Sequence, residues 1–295
     1  MKKAFLQLHI AILLAGFTGV LGRLIHLNEA LLVWYRMLFA TIILFVISLF
    51  TVRIKRLAIR EMGPLLGVGA IISIHWVLFY GSVKYANISV ALVCFSAVGF
   101  FSTLLEPLIN QTRIDFSEFI IGLLAMLGIY LIFHFDKDYR LGIIFGIVSS
   151  FFAALFPILN KKLVGRFDSN TITFYEIGGG WLSLNVLVPI YLVFYPAQYV
   201  IPSASDFFWL IILSLFCTVL AFNLSIRSLI KVSAFTVNLS YNLEPVYGII
   251  LAFVVFNENQ YLGSSFYVGL GIIFFTVLVQ SWRIWAKEKH TIYSN

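Results

Sequence analysis

Apolar residues fill ten long runs, at 9–27, 30–50, 64–84, 88–110, 117–135, 141–161, 171–195, 206–228, 234–256 and 263–283, with short polar links between them. Each run approaches the roughly 20 residues a helix needs to cross hydrocarbon. The runs are continuous rather than alternating, and a tilted transmembrane strand needs only about 10 residues of alternating pattern. The pattern therefore predicts an all-α integral membrane protein with ten transmembrane helices. Links as short as Leu27-Asn28-Glu29 allow only antiparallel neighbours. Two positions break the pattern sharply. Arg36 lies within Val33-Trp34-Tyr35-Arg36-Met37, and 140 residues later Glu176 lies within Thr173-Phe174-Tyr175-Glu176-Ile177. Charge in hydrocarbon is costly and usually faces a cavity or a partner.

Composition and charge sharpen this picture. The chain is 61% hydrophobic and 11% charged, against about 45–50% and about 25% in soluble domains. Its mean hydropathy of +0.99 excludes an ordinary soluble core. The net charge of +7 raises nucleic acid as a partner, but the basic residues sit in short clusters between runs, as membrane topology requires. With the N-terminus inside, the cytoplasmic set is Lys2, Lys3, Arg53, Lys55, Arg56, Arg60, Arg113, Lys161, Lys162, Arg166, Arg227, Lys231, Arg283, Lys287 and Lys289, which is 15 of the 20 Lys and Arg. Only Lys84, Lys137 and Arg140 fall outside, while Arg23 and Arg36 lie in spans. This bias places both termini in the cytoplasm. Met1-Lys2-Lys3 before an apolar run reads as a retained first helix rather than a cleaved signal. The link at 51–63 mixes basic and apolar residues and reads as a topology loop or a lipid-facing segment. The tail at 286–295 is polar and expected to be mobile. Cys94 and Cys217 form no disulfide framework or metal spacing.

Ten spans divide as two sets of five, at 1–138 and 139–285. Phe17-Thr18-Gly19-Val20 has a counterpart in Phe151-Phe152-Ala153-Ala154, and Gly122 to Gly128 has one in Gly269 to Phe275. An odd number of spans per half makes the repeats inverted. The chain then resembles the EamA-type bacterial members of the drug/metabolite transporter superfamily. The resemblance covers nearly the whole chain. It rests on the plan of two fives, on Trp34-Tyr35-Arg36-Met37-Leu38, on the turn Ser228 to Phe235, on Glu244-Pro245, on Phe256-Asn257-Glu258, and on the glycines in the last span of each half. It implies a ten-helix bundle around a central cavity that moves small organic solutes, often outward. Two departures stand out. Val98-Gly99 replaces the family's usual proline in span 4, and Asn110-Gln111-Thr112-Arg113 replaces the acid expected at the end of that span.

Transport needs polar groups deep in the membrane and helices that can break. Glu244 lies ten residues into span 9, about 15 Å along the axis and so near the midplane. It is the candidate proton-coupling group, or else a permanently protonated packing residue. Asn238, Tyr241, Asn242 and Pro245 share one helical face beside it. Pro245 removes a backbone donor and should free a carbonyl. Arg36 could attract a carboxylate or phosphate, or bond carbonyls. Glu176 could line the cavity and meet a substrate; alternatively it marks a hinge, since it precedes Gly178-Gly179-Gly180, which permits a bend or close helix approach. His75 could relay protons or simply pack. Trp76 and Tyr80 lie beside His75 as further substrate-binding candidates, and Trp34, Tyr35, Trp181 and Tyr175 could stack on a ring or cover a cation, or simply pack. Glu106-Pro107 could mark a gate or a helix-end kink.

No P-loop, HExxH or GxSxG stands in the chain, so direct ATP drive and the familiar hydrolytic chemistries lack a motif. The reading is a secondary exporter of a small metabolite, such as an amino acid or related amphiphile. It would work by alternating access in the inner membrane of a bacterium, as monomer or homodimer, without cofactor, metal or nucleic acid. The alternatives are a membrane-embedded enzyme acting on a lipid-linked substrate and a structural or scrambling protein.

Overall fold

Helix after helix follows from segments that are apolar on every side, as expected for chains that bury one face and give the other to lipid. A computed structural model describes residues 2–50, 54–135, 137–233, 236–237 and 240–293. The helices are α1 (Lys2–Leu24), α2 (Glu29–Phe50), α3 (Ile59–Tyr85), α4 (Ile88–Phe95), α5 (Ala97–Asn110), α6 (Phe116–Phe135), α7 (Arg140–Leu163), α8 (Ser169–Phe194), α9 (Ala204–Ser214), α10 (Ala221–Leu229), α11 (Glu244–Phe256) and α12 (Ser264–Tyr293). Among the described residues, 8 helical stretches are long and apolar enough to cross a membrane, and two shorter apolar helices, Glu244–Phe256 and Ser264–Val279, follow them.

Three expected spans are not continuous α-helices. Span 4 divides at Ser96, whose amide bonds to the Val93 carbonyl at 3.1 Å, three residues back instead of four. Span 8 carries a π-helical stretch, Leu215–Leu220, between α9 and α10. Span 9 passes through a 3-10 turn, Tyr241–Leu243, before α11 begins at Glu244. Pro245 therefore sits in the first turn of α11 rather than inside a helix. There its missing N–H removes no intrahelical bond, and its fixed φ suits helix initiation. α12 continues as helix to Tyr293, into the polar tail. The link after residue 53 is held down: Lys55 N–H donates to Thr171 Oγ1, and Tyr175 OH donates to the Lys55 carbonyl.

The packing has a two-fold plan. α3 lies against α7 and α8, while α2 lies against α8 and α9. α1 lies against α10 and α11, and α7 lies against α4 and α5. α6 and α12, which end the two halves of the chain, lie against each other. Small residues set the closest approaches. A Cβ on Gly128 would stand 2.8 Å from the Gly269 carbonyl, and one on Gly269 would stand 2.5 Å from the Gly128 carbonyl. A Cβ on Gly180 would meet the Gly69 carbonyl at 2.8 Å, and one on Gly69 would meet the Glu176 carbonyl. α8 runs unbroken through Gly178-Gly179-Gly180. In this conformation the triplet serves helix approach, not a bend.

Candidate functional site

Arg36 is 2% exposed on α2, and its guanidinium is met from every side. Nε donates to Thr218 Oγ1 at 2.7 Å, Nη1 to Tyr80 OH at 2.8 Å, and Nη2 to the Cys217 carbonyl at 3.0 Å. The Trp76 ring lies 3.7 Å from the guanidinium carbon. The π-helical stretch explains the backbone contact. One extra residue per turn leaves carbonyls without their usual helical partner, and Cys217 lies inside that stretch. Gly22 supplies the space for the Tyr80 ring, which a Cβ there would overlap. A guanidinium has five donors, and these bonds use three of them.

The same arginine lines a partly open cavity of about 70 Å³ between both halves of the chain, enough for a few water molecules. Thr18 on α1, His75 and Trp76 on α3, Phe95 and Val98 on either side of the Ser96 break, Phe156 and Pro157 on α7, Cys217 in the π-helical stretch, Tyr241 in the 3-10 turn and Glu244 at the start of α11 form its wall. All three helix irregularities thus surround one space. Glu244 is 5% exposed. Among the described residues no ion pair joins Glu244 to Arg36, so a cation and an acid face the cavity from opposite halves of the chain. Ser149 Oγ donates to the His75 carbonyl at 2.9 Å, and His75 Nδ1 lies 3.0 Å from the Ser149 carbonyl. A carbonyl only accepts, so Nδ1 carries the hydrogen and Nε2 is left as an acceptor. Phe79, Phe95 and Phe156 surround the ring.

Of the residues singled out in the sequence, Arg36, His75, Trp76, Tyr241 and Glu244 meet at this cavity, with Tyr80 behind Arg36. Pro245 faces the other way, into an apolar groove between α11 and α12. Glu176 is wholly buried away from the cavity wall and accepts from Asn160 Nδ2 at 3.1 Å. Tyr35 and Trp181 belong to a half-buried aromatic group around Trp34, whose Nε1 donates to Asn185 Oδ1. Glu106 is half-buried near the end of α5, and the Pro107 carbonyl accepts the Thr112 amide after it. Asn238 lies outside the described residues, as does the side chain of Asn242. Sequence reasoning missed Thr218, Cys217, Asn160 and Ser149. Serine, threonine and cysteine are common in membrane helices, so nothing in the pattern marks them.

At one end of the bundle a carboxylate ties the halves together. Glu258 is 2% exposed and follows α11 through Asn257, whose φ of 53° is left-handed. It accepts Ile88 N–H at 3.1 Å, Ser89 N–H at 2.9 Å and Ser89 Oγ at 2.6 Å, and it pairs with Arg23. Free amides at a helix start favour an anion, and here the anion comes from the opposite half. Nearby, Lys84 Nζ donates to the Ile25 and Leu27 carbonyls beyond the end of α1, and Tyr191 OH donates to Glu29 Oε1 at 2.6 Å.

Comparison with known proteins agrees with this geometry. The sequence profile of the EamA-like transporter family matches twice, over residues 2–134 and 140–282. A solved crystal structure superposes with TM-score 0.67 over 95% of this chain and 96% of that one, at 14% identity, a likeness that shows the fold alone. No curated protein matches. Two copies of one family's repeat thus span nearly all of a helical chain with a cavity between them, largely apolar but lined by Arg36 and Glu244, and the chain belongs to the EamA-like transporter family.

Proposed function

We propose that this chain is a secondary exporter of small zwitterionic metabolites, amino acids above all, working by alternating access. One observation carries the reading: Arg36 and Glu244, from opposite halves, line the same cavity without pairing to each other. A zwitterion presents a carboxylate and an ammonium, and it would match the charge of each. The Trp76, Phe95, Phe156 and Phe222 rings would take an apolar side chain. The reciprocal packing of the two halves supports ten spans in two inverted sets of five, and the Lys and Arg bias between runs supports both termini in the cytoplasm. Transport would follow when contacts at one end part while those at the other close, as in other inverted-repeat carriers. Glu244 is placed to take a proton during that cycle.

The test is efflux of labelled amino acids from sealed vesicles containing the purified chain. Arg36→Ala should slow efflux about tenfold to a hundredfold, because a hydrogen bond to a charged group contributes about 1.5–3 kcal/mol. A folded wild-type chain that moves no amino acid from a complete mixture would end the reading.

A further inference from the structure

Away from the cavity, α7 and α8 bring together two polar side chains that transport through Arg36 and Glu244 does not use. Asn160 and Glu176 are each 0% exposed. One bond joins them, Asn160 Nδ2 to Glu176 Oε2 at 3.1 Å. The other two oxygens, Glu176 Oε1 and Asn160 Oδ1, have no hydrogen-bond partner. An ionised carboxylate in this place would keep a single donor and no cation. We propose that Glu176 and Asn160 form a second proton-binding site, one helical turn from the cavity wall toward the Lys161 end. The inference rests on the transport reading.

Burial of a carboxylate that keeps a single donor favours the protonated form. A half-turn of the Asn160 amide presents Oδ1 to Glu176 Oε2. A protonated carboxyl then donates to it, giving a neutral pair. No such arrangement exists for the anion, whose burial without compensation is costly. The charged and titratable groups of the surrounding elements are engaged elsewhere. Arg36 on α2 and His75 on α3 face the cavity. Lys161 on α7 donates to the Leu229 and Val232 carbonyls, and Arg227 on α10 donates to Asn170. Tyr175 on α8 donates to the Lys55 carbonyl.

The site also sits at the seam between the halves. α3 passes over it so closely that a Cβ on Gly69 would meet the Glu176 carbonyl, and would lie 2.7 Å from the Gly180 amide. Separating α3 from α8 would admit water to Glu176 and let the proton leave. Closing the seam would require the proton back. Proton binding at Glu176 and closure of the halves are in this way linked.

Infrared difference spectra of the purified chain at stepped pH test the site without any substrate. The expected result is a carboxylic-acid carbonyl band that disappears reversibly as pH rises, persists in Glu244→Gln and is missing in Glu176→Gln. Asn160→Ala keeps the carboxyl and should move the band by removing its hydrogen-bond partner, so it reports even if Glu176→Gln fails to fold. A Glu176 band absent at low pH, or unchanged to the alkaline limit of folding, overturns the proposal. In vesicles, Glu176→Gln should keep amino-acid exchange and weaken, without abolishing, the dependence of net efflux on a pH gradient, since Glu244 remains. If wild-type vesicles move no amino acid, the transport reading fails while the spectra still decide the site.

Discussion

At the scale of single residues, Arg36 is held by a cage whose members are unequal. Tyr80 contributes a hydroxyl that reaches a fully buried cation, so Tyr80→Phe leaves one N–H without an acceptor. Leaving a charged donor unsatisfied costs about 1–3 kcal/mol or more, and denaturant unfolding in detergent should show a loss of that size. Gly22→Ala should do similar damage without touching a polar group, since the new methyl overlaps the Tyr80 ring. If Gly22→Ala unfolds at the wild-type midpoint, the packing account of the cage is wrong. The sequence exposes Arg36, Trp76 and Tyr80 because lone polar or bulky residues inside apolar runs are conspicuous. It hides Thr218 and Cys217 because neither type is unusual in a membrane helix, and because the Cys217 contact is made by backbone.

At the scale of elements, the breaks decide where the cavity forms, and these were the least legible feature. Hydrophobic periodicity reports which side of a helix is buried, but a run apolar all round carries little phase. Nothing in Leu215–Leu220 separates a π turn from an α turn, and nothing at Ser96 separates a break from a continuous span. Glu244-Pro245 was readable as a site of irregularity, yet its form was not: proline begins α11 instead of interrupting it. Glu258 shows how elements from opposite halves are tied. It supplies an anion to the start of α4, where amides lack helical partners. Glu258→Gln keeps the size and removes the charge, and charged hydrogen bonds are roughly twice as strong as neutral ones. The variant should therefore unfold earlier, and a cysteine placed at position 25, buried beside this end, should react faster with a polar thiol reagent. Unchanged reactivity and stability together would mean that the Arg23–Glu258 contact holds nothing shut.

At the scale of the whole molecule, two seams of different kind hold the halves. The α3–α8 seam lies at Gly69, Gly179 and Gly180 beside Glu176, and the alternating access proposed above would require it to part. The α6–α12 seam joins Gly128 and Gly269 reciprocally, each glycine facing the other's carbonyl, a relation expected where a two-fold axis passes between paired helices. Such an axis seam can stay closed while the others rock. Gly128→Ala and Gly269→Ala should each cost about 1–3 kcal/mol, the usual range for overpacking. The double variant should cost less than the sum. Either methyl alone forces the helices apart, and the second then enters space already opened, so residues in contact couple rather than add. A double-mutant cycle in detergent measures this directly. Strict additivity would show that the two glycines do not share one contact, and the two-fold relation between the halves would lose its clearest structural support.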